Sequence, residues 1–334
     1  MRGYEISIFD KGGGLWTPPN LASINTGASF SSLINGDNNP GALNVEFDIW
    51  TAPYHQTGGA SWVRVTGIGL KEIGDASNLN GFSITVKAGM RKGLPLATAA
   101  FNAGQYGTLV NAQIYQAFGN WVGVEQSLEL ILQPPTGTND APANLVFNWK
   151  ANTSLETGIR QTLSTAYPGY SITINIAKTL KLPQDQQGYH YTLEQFSNYV
   201  QKLSQNLLQQ ENYTGVIISV LDKEIYVDDG TVPGDTKTVL AQDLMGQPTW
   251  LEDGLIQVKT VLRADIKPFD LMKLPQTQVT TGPNAPSPFT NAKLTFQGGF
   301  QVQTIRNVAN FRMATGDAWV TIYDCAATGL VSAT

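Results

Sequence analysis

The chain has 334 residues, 14% of them charged, and a formal net charge of -5, a length that points to two or three domains rather than one core. It has no run of Lys or Arg, which excludes a protein held to nucleic acid by phosphate contacts, and its one cysteine, Cys325, excludes an intrachain disulfide framework. No stretch approaches the ~20 apolar residues of a membrane span, and residues 1–9 lack the apolar centre of a signal peptide, so the expectation is a chain made in a cytosol and soluble until it assembles.

Residues 1–143 read as all-β with one interruption. Tyr4, Ile6 and Ile8 alternate with Glu5, Ser7 and Phe9. Lys11-Gly12-Gly13-Gly14 is a turn; no Lys-Ser/Thr follows it, so a phosphate cradle is the poorer reading. In residues 43–50 (LNVEFDIW), Leu43, Val45, Phe47 and Ile49 face a core, and Glu46, Asp48 and Trp50 face away. Residues 62–68 form the next strand, and residues 70–79 a short helical or looped excursion. Phe82, Ile84 and Val86 mark another strand, and residues 89–93 (GMRKG) a turn with two positive charges. Residues 109–115, 119–123 and 127–133 complete a series of closely spaced strands, the spacing of a barrel or sandwich.

Residues 134–140 (PPTGTND) form a linker. Beyond it Leu145, Phe147 and Trp149 lie on a strand. Thr153-x-x-Glu156 reads as a capping box for a helix that Pro168-Gly169 stops. Residues 170–176 alternate as a strand. Thr192-x-x-Gln195 opens a longer helix with Leu193, Phe196, Val200, Leu203 and Leu207 as its apolar stripe. Residues 216–221 and 224–227 read as a strand pair. The order β-α-β-α-β-β makes a small α/β layer domain, residues 144–235.

The last region, residues 236–334, returns to β. Pro248 sets the chain before Trp250, and Asp253-Gly254 makes a hairpin turn. Leu255, Gln257, Lys259 and Val261 point one way, and Ile256, Val258, Thr260 and Leu262 the other, towards a core. Residues 263–270 (RADIKPFD) turn the chain, and Leu271, Lys273 and Pro275 end a short return strand. Residues 276–289 form a loop; residues 293–297, 302–307 and 318–323 are strands.

Gly246, Gln247, Pro248, Thr249 and Trp250, followed by IQVKTVLRADIKPFDLMKLP with its Arg263, Asp265 and Pro275, resemble the C-terminal part of bacteriophage tail baseplate hub proteins, the tube-like hubs of contractile-tailed phages. Residues 79–86, 88–90, 93–97 and 117–122 (AFGNWV) resemble the first barrel of the same proteins. The resemblance implies two barrel-like tail-tube-type β domains, residues 1–143 and 236–334, flanking the small α/β domain. It implies a homotrimer whose six β units make a pseudo-sixfold ring in the virion tail baseplate, assembled in the host cytoplasm. The implied partners are the tail tube or its terminal protein, the central spike, and other baseplate proteins. DNA would pass the lumen without specific binding once the spike leaves, so the lumen is expected to be neutral or acidic.

The motifs are structural, and an enzyme is not expected. His55 and His190 have no partners at metal-ligand spacing, and no metal or cofactor is implied. Glu46 and Asp48 share a strand face at i,i+2, a spacing more typical of a solvated face than of a glycosidase pair. Asp228-Asp229-Gly230 resembles part of a calcium loop but lacks its closing Glu, and Gly-x-Ser-x-Gly is absent. Most of the seven tryptophans read as core; Trp50, opposite Phe47 and Ile49, is the exception. The alternative reading is a carbohydrate-binding or cell-wall-degrading tail protein using Trp50 or Trp62, or another tail-tube adaptor.

Overall fold

The computed structural model describes residues 1–19, 27–54, 59–91, 103–134, 143–182, 184–209, 213–232, 234–252, 254–275 and 299–327. His55, Asp253, the 93–97 segment, most of the 134–140 linker, the 276–289 loop and the 293–297 strand lie outside the described residues.

The first region contains β1 (Arg2–Phe9), β2 (Leu15–Trp16), β3 (Phe30–Ser31), β4 (Leu33–Ile34), β5 (Asp37–Asn38), β6 (Asn44–Thr51), β7 (Ser61–Thr66), helix α1 (Leu70–Gly74), β8 (Ser83–Met90), β9 (Gly107–Val122) and β10 (Glu125–Gln133). The middle region adds β11 (Leu145–Trp149), α2 (Leu155–Ala166), β12 (Ser171–Asn175), β13 (Gln186–His190), α3 (Leu193–Leu208), β14 (Ile217–Leu221) and β15 (Glu224–Asp228). The last region has β16 (Thr236–Thr238), β17 (Thr249–Glu252), β18 (Leu255–Val261), β19 (Leu271–Lys273), β20 (Gly299–Asn310) and β21 (Trp319–Ala327). The chain is mainly β with an α/β insertion, the fold class expected.

Period-two alternation places each long strand. Tyr4, Ile6 and Ile8 of β1, Val45, Phe47 and Ile49 of β6, and Ile256, Val258 and Thr260 of β18 are all buried. The first and last regions share one sheet, 14-stranded among the described residues, in the order β17-β18-β21-β20-β6-β7-β10-β9-β8-β1-β2. The seam between them is β6 against β20, from Thr51 opposite Ile305 to Glu46 opposite Asn310. Across it Arg306 grips Asp48 with two nitrogens, Nη2 to Oδ2 at 2.6 Å and Nε to Oδ1 at 2.9 Å. The same guanidinium lies 4.6 Å from the Trp50 ring, so Trp50 leaves the first core only to be stacked at the seam.

The structure corrects several sequence expectations. Gly89 and Met90 do not begin a turn; they end β8, opposite Gly3 and Arg2. The gap expected between residues 115 and 119 is absent, because β9 is continuous. A bulge lies between its pairs Gln116–Ile131 and Ile114–Leu132, leaving Tyr115 unpaired. The extra residue resets the alternation, so Ile114 and Ala117 both face inwards although three apart. The first helix of the insertion is capped by Ser154, which accepts from Thr157 N, and not by Thr153. Thr192 does cap α3, accepting from Gln195 N, while the Gln195 side chain accepts from Tyr191 N. β13 (QQGYH) has no apolar alternation to announce it; its pairing with β11 corrects the insertion to β-α-β-β-α-β-β.

In the insertion, α2 and α3 pack on two small sheets, β11-β13 and β12-β15-β14, around Phe147, Trp149, Ile159, Leu163, Phe196 and Val200. It is tied to both β regions. Tyr54 N donates to Ile218 O at 3.0 Å, the Asn111 amide meets Asp222, and Lys267 Nζ lies 3.0 Å from Glu224.

A buried polar belt divides the inner face of the last region. Ile305, Tyr323 and Val258 belong to its own core, whereas Ala309, Trp319 and Leu262 belong to the core of the first region. Between the two groups Thr260, Thr321 and Asn307 pair side by side across three strands. Thr321 Oγ1 donates to Asn307 Oδ1 at 2.8 Å and accepts from Arg263 N at 3.1 Å. The Arg263 side chain is 2% exposed and makes a fork to Asp265, with Nε–Oδ1 and Nη2–Oδ2 both 2.7 Å; its Nη1 lies 3.3 Å from Asp243 Oδ2. Burial alone would lower the Arg263 pKa, but Asp265 and Asp243 outweigh it and the pKa is raised.

Removing this cation strands two partly buried carboxylates. Arg263→Ala is expected to cost ~3–5 kcal/mol in urea unfolding. Asp317→Asn, which breaks the exposed 3.0 Å pair with Lys259, is expected to cost less than ~1 kcal/mol in the same measurement.

Candidate functional site

The residues of the hub-like motif divide between the belt and the sheet edge. Arg263 and Asp265 form the buried fork. Asp243 carries that grip to the segment before β17, where Met245 N donates to Lys259 O at 2.8 Å and Leu244 bridges Thr260. Gly246 follows with φ +99, a conformation that suits glycine. Gln247 is exposed and Pro248 buried. Thr249 and Trp250 open β17 opposite Gln257 and Ile256. β17 is one end of the sheet path, and Trp250 and Leu251 on it are exposed, although one side of Trp250 meets Phe300 with ring centroids 6.5 Å apart. Pro275 is half-buried beyond β19.

A second surface is the hairpin of β9 and β10. No charged residue occurs from Gly107 to Val124. At its tip Trp121 is 62% exposed, Val122 76% and Val124 98%. Gly123, at φ +61, makes the turn, and Trp121 Nε1 donates to Gly123 O at 2.9 Å, which holds the ring against the tip. The hairpin is seated lower down on α1, where a Cβ on Gly119 would lie 2.4 Å from Ile73 O. Large apolar side chains exposed on a well-formed hairpin whose first strand carries no charge are the composition of an interface centre rather than of a free surface. The sequence places a strand at residues 119–123 and most tryptophans in a core, whereas Trp121 stands clear of it, and nothing local signals that.

A third exposed face lies on the insertion. Val146 sits opposite Tyr189 on the β11·β13 pair, and the Tyr189 and Tyr191 rings meet edge to face at 5.2 Å. All three residues are exposed.

The residues weighed for chemistry are engaged elsewhere. Arg64 lies 3.8 Å from Glu46 and 2.6 Å from Glu129, and Asp48 holds Arg306. The Trp50 ring is covered by Arg306 on a face and by Gly59 at its Nε1 edge, where an added Cβ would approach to 2.5 Å. Trp62 is half-buried with the Arg64 guanidinium 5.6 Å from its ring. Neither tryptophan therefore presents a free platform to a sugar. His190 packs between Phe196 and Tyr199, and burial lowers its pKa. Cys325 is buried in the core of the last region, and burial raises its thiol pKa. Among the described residues no group of three or more His, Cys, Asp or Glu is placed to hold a metal ion, and no helix is long and apolar enough to cross a membrane.

No family model and no curated protein matches the chain. Solved structures do. The tail protein from Neisseria meningitidis MC58 is 10% identical and superposes with a TM-score of 0.50 over 97% of this chain and 96% of that one. The 43 kDa tail protein of prophage MuSo2 from Shewanella oneidensis is 8% identical, with a TM-score of 0.48 over 98% of each chain. A component of the Escherichia coli type VI secretion system, described as similar in structure to the T4 bacteriophage tail proteins gp27 and gp5, is 12% identical, with a TM-score of 0.46 over 85% of this chain and 73% of that one. At such identity the Neisseria likeness shows the fold, which runs the length of both chains.

The two parts of the hairpin separate by mutation. Val124→Asp is expected to change unfolding stability by no more than about 0.5 kcal/mol, as an exposed substitution. Gly119→Ala is expected to cost about 1–3 kcal/mol, because α1 must move. Urea denaturation of the two variants measures both.

Proposed function

We propose that this chain, which has the fold of a tail protein, is a structural component of a phage tail: the baseplate hub. The exposed apolar hairpin tip carries the reading, because a lone chain leaves Trp121, Val122 and Val124 in water and a neighbouring subunit would cover them. Three copies would form a ring, and six β regions would give it pseudo-sixfold character. One side of the ring would meet the tail tube and the other a central spike. The exposed edge at β17 supports the same reading, since an open strand end with Trp250 and Leu251 on it is a liability unless a neighbour covers it. The Val146, Tyr189 and Tyr191 face of the insertion would meet the spike or other baseplate proteins.

The function is geometric, and no bond is broken. A rigid ring adapts a threefold spike to a sixfold tube, and DNA passes when the spike leaves. The acidic balance of the chain suits a lumen that DNA traverses without sticking.

Negative-stain imaging at high protein concentration is the test. Class averages are expected to show threefold rings with a central hole, and the double variant Trp121→Ser/Val124→Asp is expected to give single particles with an unchanged circular dichroism spectrum. Wild-type protein that stays monomeric alone and with a purified spike or tube partner overturns the hub reading.

A further inference from the structure

The turn that leaves the insertion carries a buried carboxyl group. Asp228 ends β15 and is 2% exposed. Its Oδ1 accepts from Gly230 N at 2.7 Å and from Gln301 Nε2 at 2.8 Å, and Gln301 belongs to β20 of the last region. Its Oδ2 is buried with no hydrogen-bond partner among the described residues. The adjacent Asp229 is fully served: it accepts from Ala177 N at 2.8 Å, Tyr213 OH at 3.1 Å and Thr231 N at 3.0 Å. Two neighbouring aspartates thus sit in opposite environments.

Asp228 lines a cavity of about 360 Å³ between the insertion and the last region. The charged and titratable groups around it come from every element nearby. β15 supplies Glu224 and Tyr226, the segment at β16 supplies Asp235 and Lys237, and the turn before β19 supplies Lys267 and Asp270. Asp229 and Tyr213 stand behind the turn, and β20 contributes the uncharged Gln301. Lys267 is committed to Glu224 at 3.0 Å and Lys237 to Asp235 at 3.8 Å, so neither cation neutralises Asp228. Asp270 is itself buried, its Oδ2 accepting from Lys267 N at 2.8 Å.

A buried carboxylate with a bare oxygen is costly, and a neutral carboxyl in the same place costs less. Burial pushes Asp228 up to about 7, against the pull of its two hydrogen bonds, and Asp229 adds to the push. Burial likewise pushes Asp270 up to about 6.

We propose that Asp228 is a proton-operated latch: protonated, it lets the insertion close on the last β region beside Gln301, and its ionisation, which the buried Oδ2 has no donor to meet, loosens that junction. The inference stands apart from the hub reading. The sign follows from the raised value. The closed junction is fully favoured below the ordinary carboxylate range, loses ground as pH rises, and has lost all it can lose above about 7.

Hydrogen exchange of the full chain, followed by mass spectrometry and corrected for intrinsic rates, tests this. Opening of residues 224–230 and 299–305 is expected to increase up to about tenfold per pH unit between pH 5 and 7 and to level off above, while residues 61–66 stay flat. Asp228→Asn keeps the Oδ1 acceptor and cannot ionise, and is expected to cut the rise between pH 6 and 7 to about twofold, the part left to Asp270 as it completes its ionisation. Gln301→Leu removes a donor that favours the anion, and is expected to move the level-off to higher pH whether or not Asp228→Asn folds. A wild-type junction that opens no faster at pH 7 than at pH 5 overturns the latch. So does the same rise in Asp228→Asn, or an unmoved level-off in Gln301→Leu.

Discussion

The buried guanidinium of Arg263 is the constraint on which the last β region is organised. Its fork to Asp265 holds the turn that follows β18, its reach to Asp243 fixes the segment that leads into β17, and its backbone N–H binds Thr321 in the belt. A cation so deeply placed accepts few alternative arrangements, because each would leave a charge without a partner in a dry interior. The belt thereby sets the register of β18 against β21 and divides the apolar face into two cores. One core belongs to the last region; the other is completed by Leu262, Ala309 and Trp319 pushing into the first.

The seam extends the same principle outwards. Arg306 binds Asp48 and stacks on Trp50, so a single side chain reads two adjacent outward positions of β6. A lysine would make neither the fork nor the stack. The insertion leans on both β regions through short polar contacts and through a small buried cluster in which Ile217, Leu221 and Tyr226 pack with Phe269 of the last region. The two β regions share one sheet, whereas the insertion keeps two small sheets of its own and docks through these contacts.

Local patterning made much of this legible. The alternation in β1, β6 and β18 and the stripe on α3 announce their own burial. The Arg263 and Asp265 pair is visible as an i,i+2 match, but Asp243 lies twenty residues away and only the fold brings it in. β13 was hidden because Gln, Gln and Gly carry no hydrophobic signal; its hydrogen bonds come from a backbone that β11 happens to meet. The Tyr115 bulge was hidden because an extra residue looks like a break in alternation and hence like a gap between strands. The alternation of β6 puts Trp50 outside the first core, yet the residue that covers it lies 256 positions on. Long-range pairing of that kind has no local signature, and the same holds for the hairpin tip, whose apolar residues resemble any buried strand until their surroundings are known.

The β6–β20 seam also bears on how the chain is made. Its bidentate ion pair joins residues 258 positions apart, so β6 leaves the ribosome long before its partner strand exists. At about 5–20 residues per second of synthesis, that edge waits for roughly 13–50 s, with Val45, Phe47 and Ile49 on one face and an unpaired backbone along the side. The outward charges Glu46 and Asp48 then act first as protection for a nascent edge against wrong partners, and only later as the anchors of Arg64 and Arg306.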